Sequence, residues 1–131
     1  MKMYTDYDQS VKLAEILPAD TADMYWLIKN EKPVKAYLDI EDIKSDDKCS
    51  YCPCWSLPTL FNMLPDIGYE AGCSWEICRL INVNKNALKD QYYVTGHDMW
   101  DHEIIGPYYD EPIDACANMI IELHKNNYIQ S

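Results

Sequence analysis

Apolar and polar side chains alternate strictly between Val34 and Ile40, and this pattern limits the fold more than any other stretch of the chain. A period of two places successive side chains on opposite faces of an extended backbone. One face is then buried and the other lies in water, which is typical of antiparallel sheets. The pattern therefore predicts a strand whose core-facing side chains are Val34, Ala36, Leu38 and Ile40.

The other strand candidates are short and follow one another closely. Aromatic and β-branched residues predict strands at Met24–Ile28, Trp75–Val83 and Leu88–Thr95, and a further one at Met99–Ile105. The turns that join neighbouring strands hold only a few residues, too few for a helical crossover. We therefore expect antiparallel hairpins.

A period of 3.6 predicts helices at the start and in the middle of the chain. The first begins at Asp8 or Ser10, either of which is a good cap, and Pro18 stops it. The second covers Ser56–Pro65, with Ser56 as its cap. Its apolar face is formed by Leu57, Leu60, Phe61 and Leu64.

The strongest helix prediction lies near the carboxyl end. Asp110 or Glu111 caps it, Pro112 stands in its first turn, and Asn126–Asn127 supplies a left-handed end. The predicted core stripe consists of Ile113, Cys116, Ala117, Ile120, Ile121 and His124.

Together these elements predict one α+β domain over residues 1–131, in the order α-β-β-α-β-β-(β)-α. We expect an antiparallel sheet of four to five strands, packed on one face by about three helices. The length suits a single domain with a core of its own. A doubly wound parallel fold is disfavoured.

The charge of the chain restricts its partners. Asp plus Glu number 22 against 11 for Lys plus Arg, so the formal net charge is −11. Such a field repels phosphate backbones and anionic lipids, and Arg79 is the one arginine. We therefore expect no direct nucleic-acid binding and no membrane binding. The acidic surface either supplies solubility or targets a basic protein.

The sequence also predicts a cytoplasmic protein. No run approaches the ~20 apolar residues of a membrane span, and the first residues lack a signal-peptide pattern. In that compartment the six cysteines are expected to be thiols. The oligomeric state, monomer or homo-oligomer, is left open.

The cysteine cluster at residues 49–54 allows a zinc hypothesis. Cys49 and Cys52 have the spacing of a zinc knuckle, and Cys54 is a third thiol. A fourth ligand would come from Cys73, Cys78, His97 or His102. No second Cys-x-x-Cys answers the first, and the same residues fit buried apolar thiols equally well. A thioredoxin-like role is disfavoured because the predicted helix starts after the pair.

Nucleophilic catalysis has a weaker basis in the sequence. Cys54 or Cys73 can be paired with His97 or His102 to make a hydrolase-type dyad, but six cysteines and three histidines always permit such a pairing. Glycine-rich phosphate loops and the common nucleophile motifs are missing from the sequence. We therefore expect a protein without enzymatic activity, and we assign no catalytic residue and no cofactor other than the possible zinc.

Aromatic residues provide the leading functional hypothesis. The adjacent tyrosines Tyr92–Tyr93 and Tyr108–Tyr109, with Trp100, lie on predicted strands or beside turns. One member of each pair must face outward on a strand. Exposed aromatic side chains among carboxylates are typical anchors of protein interfaces, although tyrosine also half-buries its ring on ordinary sheets. We expect these five residues to form an interaction surface.

Three stretches of the sequence resemble stretches of a known protein family. They are residues 17–26 (LPADTADMYW), 53–65 (PCWSLPTLFNMLP) and 111–125 (EPIDACANMIIELHK). In order and spacing they resemble a family of uncharacterised small proteins encoded in prophages and mobile elements of gut bacteria. The resemblance implies a phage-related accessory protein and carries over no catalytic residue. Whether the turn Asp20–Asp23 is structural or functional is left open.

Overall fold

The computed structural model describes residues 2–38, 49–64, 75–80, 90–97 and 103–126. Within them the chain is an α+β protein with three α-helices and two three-stranded antiparallel sheets. The strands are β1 (Met24–Lys29), β2 (Lys32–Tyr37), β3 (Cys49–Cys54), β4 (Glu76–Leu80), β5 (Gln91–His97) and β6 (Glu103–Ile105). The helices are α1 (Tyr7–Ala14), α2 (Leu57–Asn62) and α3 (Pro112–Lys125), and a 3₁₀ turn covers Ala19–Thr21.

The α+β class is confirmed, but the prediction of one sheet of four to five strands is wrong. The first sheet has the order β2-β1-β3 and the second the order β4-β5-β6. The difference arises at β3, which the sequence analysis treats as a cysteine-rich segment. It pairs with β1 along its whole length, from Met24 opposite Cys54 to Lys29 opposite Cys49. This pairing completes the first sheet before the chain reaches α2.

The strand predicted from strict alternation is present as β2, but its predicted buried face is wrong. Val34 is 56% exposed and Leu38 is 73% exposed. Two features of the sheet explain this. First, β2 is an edge strand. Second, Leu27 pairs with Lys35 and Ile28 with Pro33, so Val34 has no partner and forms a β-bulge. Ile40 lies outside the described residues.

The hairpin between β1 and β2 has the geometry expected of a two-residue turn. Asn30 and Glu31 both have positive φ, at 51° and 62°. A type I′ turn requires this at both positions because its twist matches that of the flanking strands. Asn30 adopts it readily, whereas Glu31 pays a modest conformational cost.

The first helix begins earlier than the sequence analysis predicts. Its cap is Asp6, not Asp8 or Ser10: the Asp6 carboxylate accepts from the Gln9 N–H at 2.8 Å, and Gln9 Oε1 accepts from the Asp6 N–H at 3.0 Å. This is a capping box, which satisfies two helix-end donors at once. Ser10 is instead buried against Thr5, with 2.8 Å between the hydroxyl oxygens.

The two later helices follow the predictions in most respects. Ser56 is the N-cap of α2, and Leu60 and Leu64 on its predicted apolar face are buried. Glu111 occupies the N-cap position of α3 without a side-chain capping bond, and Pro112 lies in the first turn. The predicted core stripe of α3 is wrong at its end, since Leu123 is buried and His124 is only half-buried. The helix also ends differently, because Asn126 has a φ of −95° and is not left-handed.

The helices lie between the two sheets. α1 packs on β3 and α3, and α3 packs on β5 and α2. The main core therefore surrounds α3, with Trp55, Leu60, Ile113, Cys116 and Ile120 fully buried.

Candidate interaction surface

The cysteines of β3 occupy a structural position. Cys54 is fully buried, and its thiol donates to the Thr5 carbonyl oxygen at 3.4 Å. The Thr5 hydroxyl donates to the same sulfur at 3.5 Å and accepts from the Trp55 N–H at 3.2 Å. Burial raises the pKa of both Cys52 and Cys54, which keeps them protonated. These contacts join β3 to the amino-terminal segment.

The zinc hypothesis gains no support from these positions. In the described parts of the chain no three Cys, His, Asp or Glu side chains come close enough to hold a metal ion. The side chains of Cys49 and His97 lie outside the described part of the structure, as do residues Cys73 and His102. Zinc at this cluster therefore remains a sequence-based hypothesis.

The polar turn before β1 links distant segments. The Asp23 carboxylate accepts from the Ser56 N–H at 2.8 Å and from the Ser56 hydroxyl. Burial raises the pKa of Asp23, but hydrogen bonds from Ser56 and Thr59 outweigh burial, and the net pKa is lowered. Nearby, Thr21 Oγ1 accepts from the Trp55 indole N–H at 3.1 Å. The turn thus fixes the start of α2 in place.

The adjacent tyrosines divide between the two faces of the second sheet. Tyr92 and Tyr109 form a backbone bridge, with N···O distances of 2.7 and 2.8 Å, and Tyr109 packs against the core. Tyr93 and Tyr108 make an edge-to-face ring contact with centroids 5.2 Å apart. The alternation of strand faces puts Tyr93 opposite Cys78 on the side away from α3, because its neighbour Val94 is buried. Trp100 lies outside the described residues.

Two aliphatic side chains extend this aromatic pair. Leu80 is on the same side of β4 as Cys78, and Ile105 is opposite Thr95, which shares the Tyr93 side of β5. Tyr108 is 54% exposed, Leu80 47% and Ile105 56%. We call Leu80, Tyr93, Ile105 and Tyr108 the outer-face cluster. The contact of this sheet with α3 is on the opposite face, where Val94 is buried.

Carboxylates and a hydrogen bond accompany the outer-face cluster. Glu76 and Glu103 are exposed on the same face, opposite Thr95 and His97 in the strand register. A hydrogen bond with Cys78 raises the pKa of Tyr93, and the nearby Tyr108 and Glu103 raise it further. The face therefore combines apolar anchors with negative charge.

A groove runs along the border of this face. It has a volume of about 650 Å³ and separates the end of β6 from the second half of α3. Its apolar wall contains Ile104, Met119 and Leu123, and its polar rim contains Asn118 and Glu122. Ile105 belongs to both the groove and the outer-face cluster. The two features are therefore continuous.

The environment of Tyr109 indicates negative charge at the groove. Burial raises the pKa of Tyr109, and the carboxylates of Glu122 and Asp114 raise it further. Lys125 is 3.4 Å from Glu122, but both side chains are mostly exposed, so water screens this pair. The groove thus has an apolar wall and one carboxylate, that of Glu122, at its rim.

Tyr93 and Tyr108 are among the five candidates expected from the sequence, whereas Leu80, Ile105 and the groove are not. Leu80 and Ile105 can be assigned to this face only from the strand register, which depends on where β4 and β6 begin. The groove could not be predicted because it is formed by the packing of α3 on β5, which local sequence patterns do not reveal. A period-two pattern of Cys78 and Leu80 was the available signal for the outer face of β4.

Comparison with protein-family models, with curated proteins and with solved structures finds no match to this chain. The resemblance to prophage-encoded proteins therefore stays a prediction. Among the described helices, none has the length and apolar character needed to cross a membrane.

Proposed function

We propose that the protein is a non-enzymatic protein-binding module and that its docking surface is the outer-face cluster. The observation that carries this proposal is the exposure of Leu80, Ile105 and Tyr108, with the half-buried Tyr93 ring against Tyr108, on the face of the second sheet that lies away from α3. Side chains of this kind release bound water on contact with a partner, which is the main favourable contribution to most protein interfaces.

The composition of the face supports this role. Aromatic residues are enriched at the centres of interfaces, and charged residues are found at the rims. Tyr93 and Tyr108 hold each other through an edge-to-face contact, so each loses little conformational freedom on binding. Leu80 and Ile105 flank them, and Glu76 and Glu103 are at the edges. A central apolar cluster with an acidic rim favours a partner with an apolar patch surrounded by Lys and Arg.

The negative net charge of the chain also favours a basic partner. A net charge of −11 speeds the encounter with a positively charged surface at low salt. The proposal places this encounter in the cytoplasm, consistent with free thiols at Cys52, Cys54, Cys78 and Cys116. A basic host protein that handles nucleic acid is one partner of this chemistry.

The test uses matched double variants and quantitative affinity capture from cells that naturally produce the protein. Leu80→Asp with Tyr108→Asp adds two charges to the outer-face cluster. Val34→Asp with Leu38→Asp makes the same change at equally or more exposed positions in and directly after β2. We expect the first variant to lose a captured protein that the wild type and the second variant retain.

A salt series adds the second readout of this experiment. Capture should weaken as salt rises from 50 to 500 mM, because the screening length falls from more than about 10 Å to only a few ångströms over this range. The proposal is wrong if both double variants retain the same proteins as the wild type. Circular dichroism and thermal melting must show that each variant is folded.

A further inference from the structure

The free edge of β6 lies beside the groove, and its backbone has groups available for pairing. Gly106 donates its N–H to the Val94 carbonyl oxygen at 2.9 Å. In an antiparallel ladder, residues bonded to the neighbouring strand alternate with residues whose N–H and C=O point the other way. Ile105 therefore directs its backbone N–H and C=O away from β5. In the described part of the chain no residue pairs with them.

The edge of β6 differs from the edge of β2 in the features that prevent pairing. β2 carries Pro33, a bulge at Val34, and lysines at positions 32 and 35. Proline, bulges and lysines are the usual means by which proteins block an exposed edge. β6 has none of these within Glu103–Ile105. Its edge is thus chemically open to an added strand.

The groove supplies a place for one side chain of such a strand. An added strand places alternate side chains on the two faces of the sheet. On the α3 side, these side chains reach the apolar wall formed by Ile104, Met119 and Leu123. On the other side they meet Glu103 and the outer-face cluster.

We propose that β6 receives an extended, basic segment of a partner protein, which pairs with Ile105 and inserts an apolar side chain into the groove. This inference rests on the proposed function and names the chemistry of the partner. Backbone hydrogen bonds supply affinity in this mode of recognition, and alternate side-chain pockets supply specificity. The carboxylate of Glu103, on the outer face, favours lysine or arginine at the positions that alternate with the inserted apolar side chain.

The experiment titrates the full chain with a synthetic peptide of sequence Lys-Val-Lys-Leu-Lys-Val-Lys, acetylated and amidated at its ends, and follows amide NMR shifts. A peptide with Glu at every Lys position is the control ligand. We expect shift changes concentrated at residues 103–106 and 118–123 for the basic peptide, and binding weaker by at least about tenfold for the acidic one.

Three variants test the geometry. Ile105→Pro removes the N–H that points to the free edge while leaving the bonds between β6 and β5, and should abolish binding. Glu103→Lys should weaken binding about fivefold, the effect of one exposed charge pair. Glu76→Lys makes the same charge change on the same face but on β4, two strands away, and should bind nearly as well as wild type.

Equal binding of the basic and acidic peptides, or wild-type affinity in folded Ile105→Pro, overturns the inference. If Ile105→Pro does not fold, the comparison of Glu103→Lys with Glu76→Lys decides, and equal affinities of these two variants overturn it. If the peptide fails to bind but the Leu80 and Tyr108 variant still loses its captured protein, the proposed function stands and only the β6 pairing is wrong.

Discussion

Among single residues, Asp23 has the clearest structural role outside the core. Its carboxylate accepts hydrogen bonds from Ser56 and so joins the turn before β1 to the start of α2. Because Ser56 directs its hydroxyl to Asp23, the first turn of α2 has no side-chain cap from its own N-cap residue. The docking of the helix therefore depends on a residue more than thirty positions away.

Substitution Asp23→Asn should lower the free energy of unfolding at pH 7 by about 1–2 kcal/mol. This is the range for charge-assisted hydrogen bonds, reduced here because the side chain is partly in water. Asp20→Asn is the matched control, since Asp20 is exposed in the same turn, and its effect should be within about 0.5 kcal/mol. Urea unfolding measures both values. Equal effects of the two substitutions would contradict the role of Asp23.

The same bond gives a pH dependence with a defined sign. The pKa of Asp23 is lowered in the folded protein, so the unfolded state binds a proton first as pH falls. The stability from this group is present above the ordinary pKa of 3.8 and is lost as pH falls through the folded value. Asp23→Asn should therefore lose less stability than the wild type between pH 4 and pH 2.

The sequence predicts part of this residue-scale picture. The alternation rule puts the two tyrosines of an adjacent pair on opposite faces of a strand. It does not say which of the two faces outward, because that depends on the side of β5 that α3 covers. For the cysteines, spacing allows a zinc hypothesis, which stays untested. Spacing does not reveal that the regular pairing of β3 places Cys54 in a buried hydrogen-bond network.

At the scale of secondary-structure elements, the second sheet depends on a close contact between β5 and Trp75. A Cβ atom added at Gly96 would lie 2.6 Å from Trp75 Cε3 and within 3 Å of two other ring atoms. Trp75 is almost fully buried. The indole therefore packs directly on the strand backbone, and only glycine leaves room for it.

Gly96→Ala should destabilise the protein by about 1–3 kcal/mol, because overpacking forces the ring or the strand to move. Gly106→Ala is the control: its added Cβ meets the end of the flexible Met119 side chain at 3.0 Å, and we expect a cost below about 1 kcal/mol. Thermal and urea unfolding of the two variants give the comparison. A Gly96→Ala variant as stable as Gly106→Ala would show that Trp75 does not pack there.

The sequence predicts which helices and strands form better than it predicts which strands pair with each other. Periodicity gives α2, α3, β1, β2 and the β4–β5 hairpin, because each pattern is local. β3 is missed because Cys49–Cys54 has neither alternation nor β-branched residues, and its strand conformation comes from pairing with β1. The burial of β2 is mispredicted for a related reason: its pattern does not reveal an edge position or the bulge at Val34.

For the whole molecule, the two sheets on either side of the helices present surfaces of different chemistry. The β1–β2 hairpin carries Lys29, Lys32 and Lys35 and a blocked edge. The second sheet carries the outer-face cluster, exposed glutamates and the open edge of β6. We therefore place the proposed docking surface at the second sheet.

The most direct test of this account is site-specific photo-crosslinking in cells that naturally produce the protein. A benzoylphenylalanine replaces Tyr108 in one variant and Leu38, the more exposed control after β2, in another. The account predicts a discrete crosslinked protein from position 108, which the substitution Leu80→Asp abolishes, and no such product from position 38. A product from position 38 alone, or the same product from both positions, would contradict docking through the outer-face cluster.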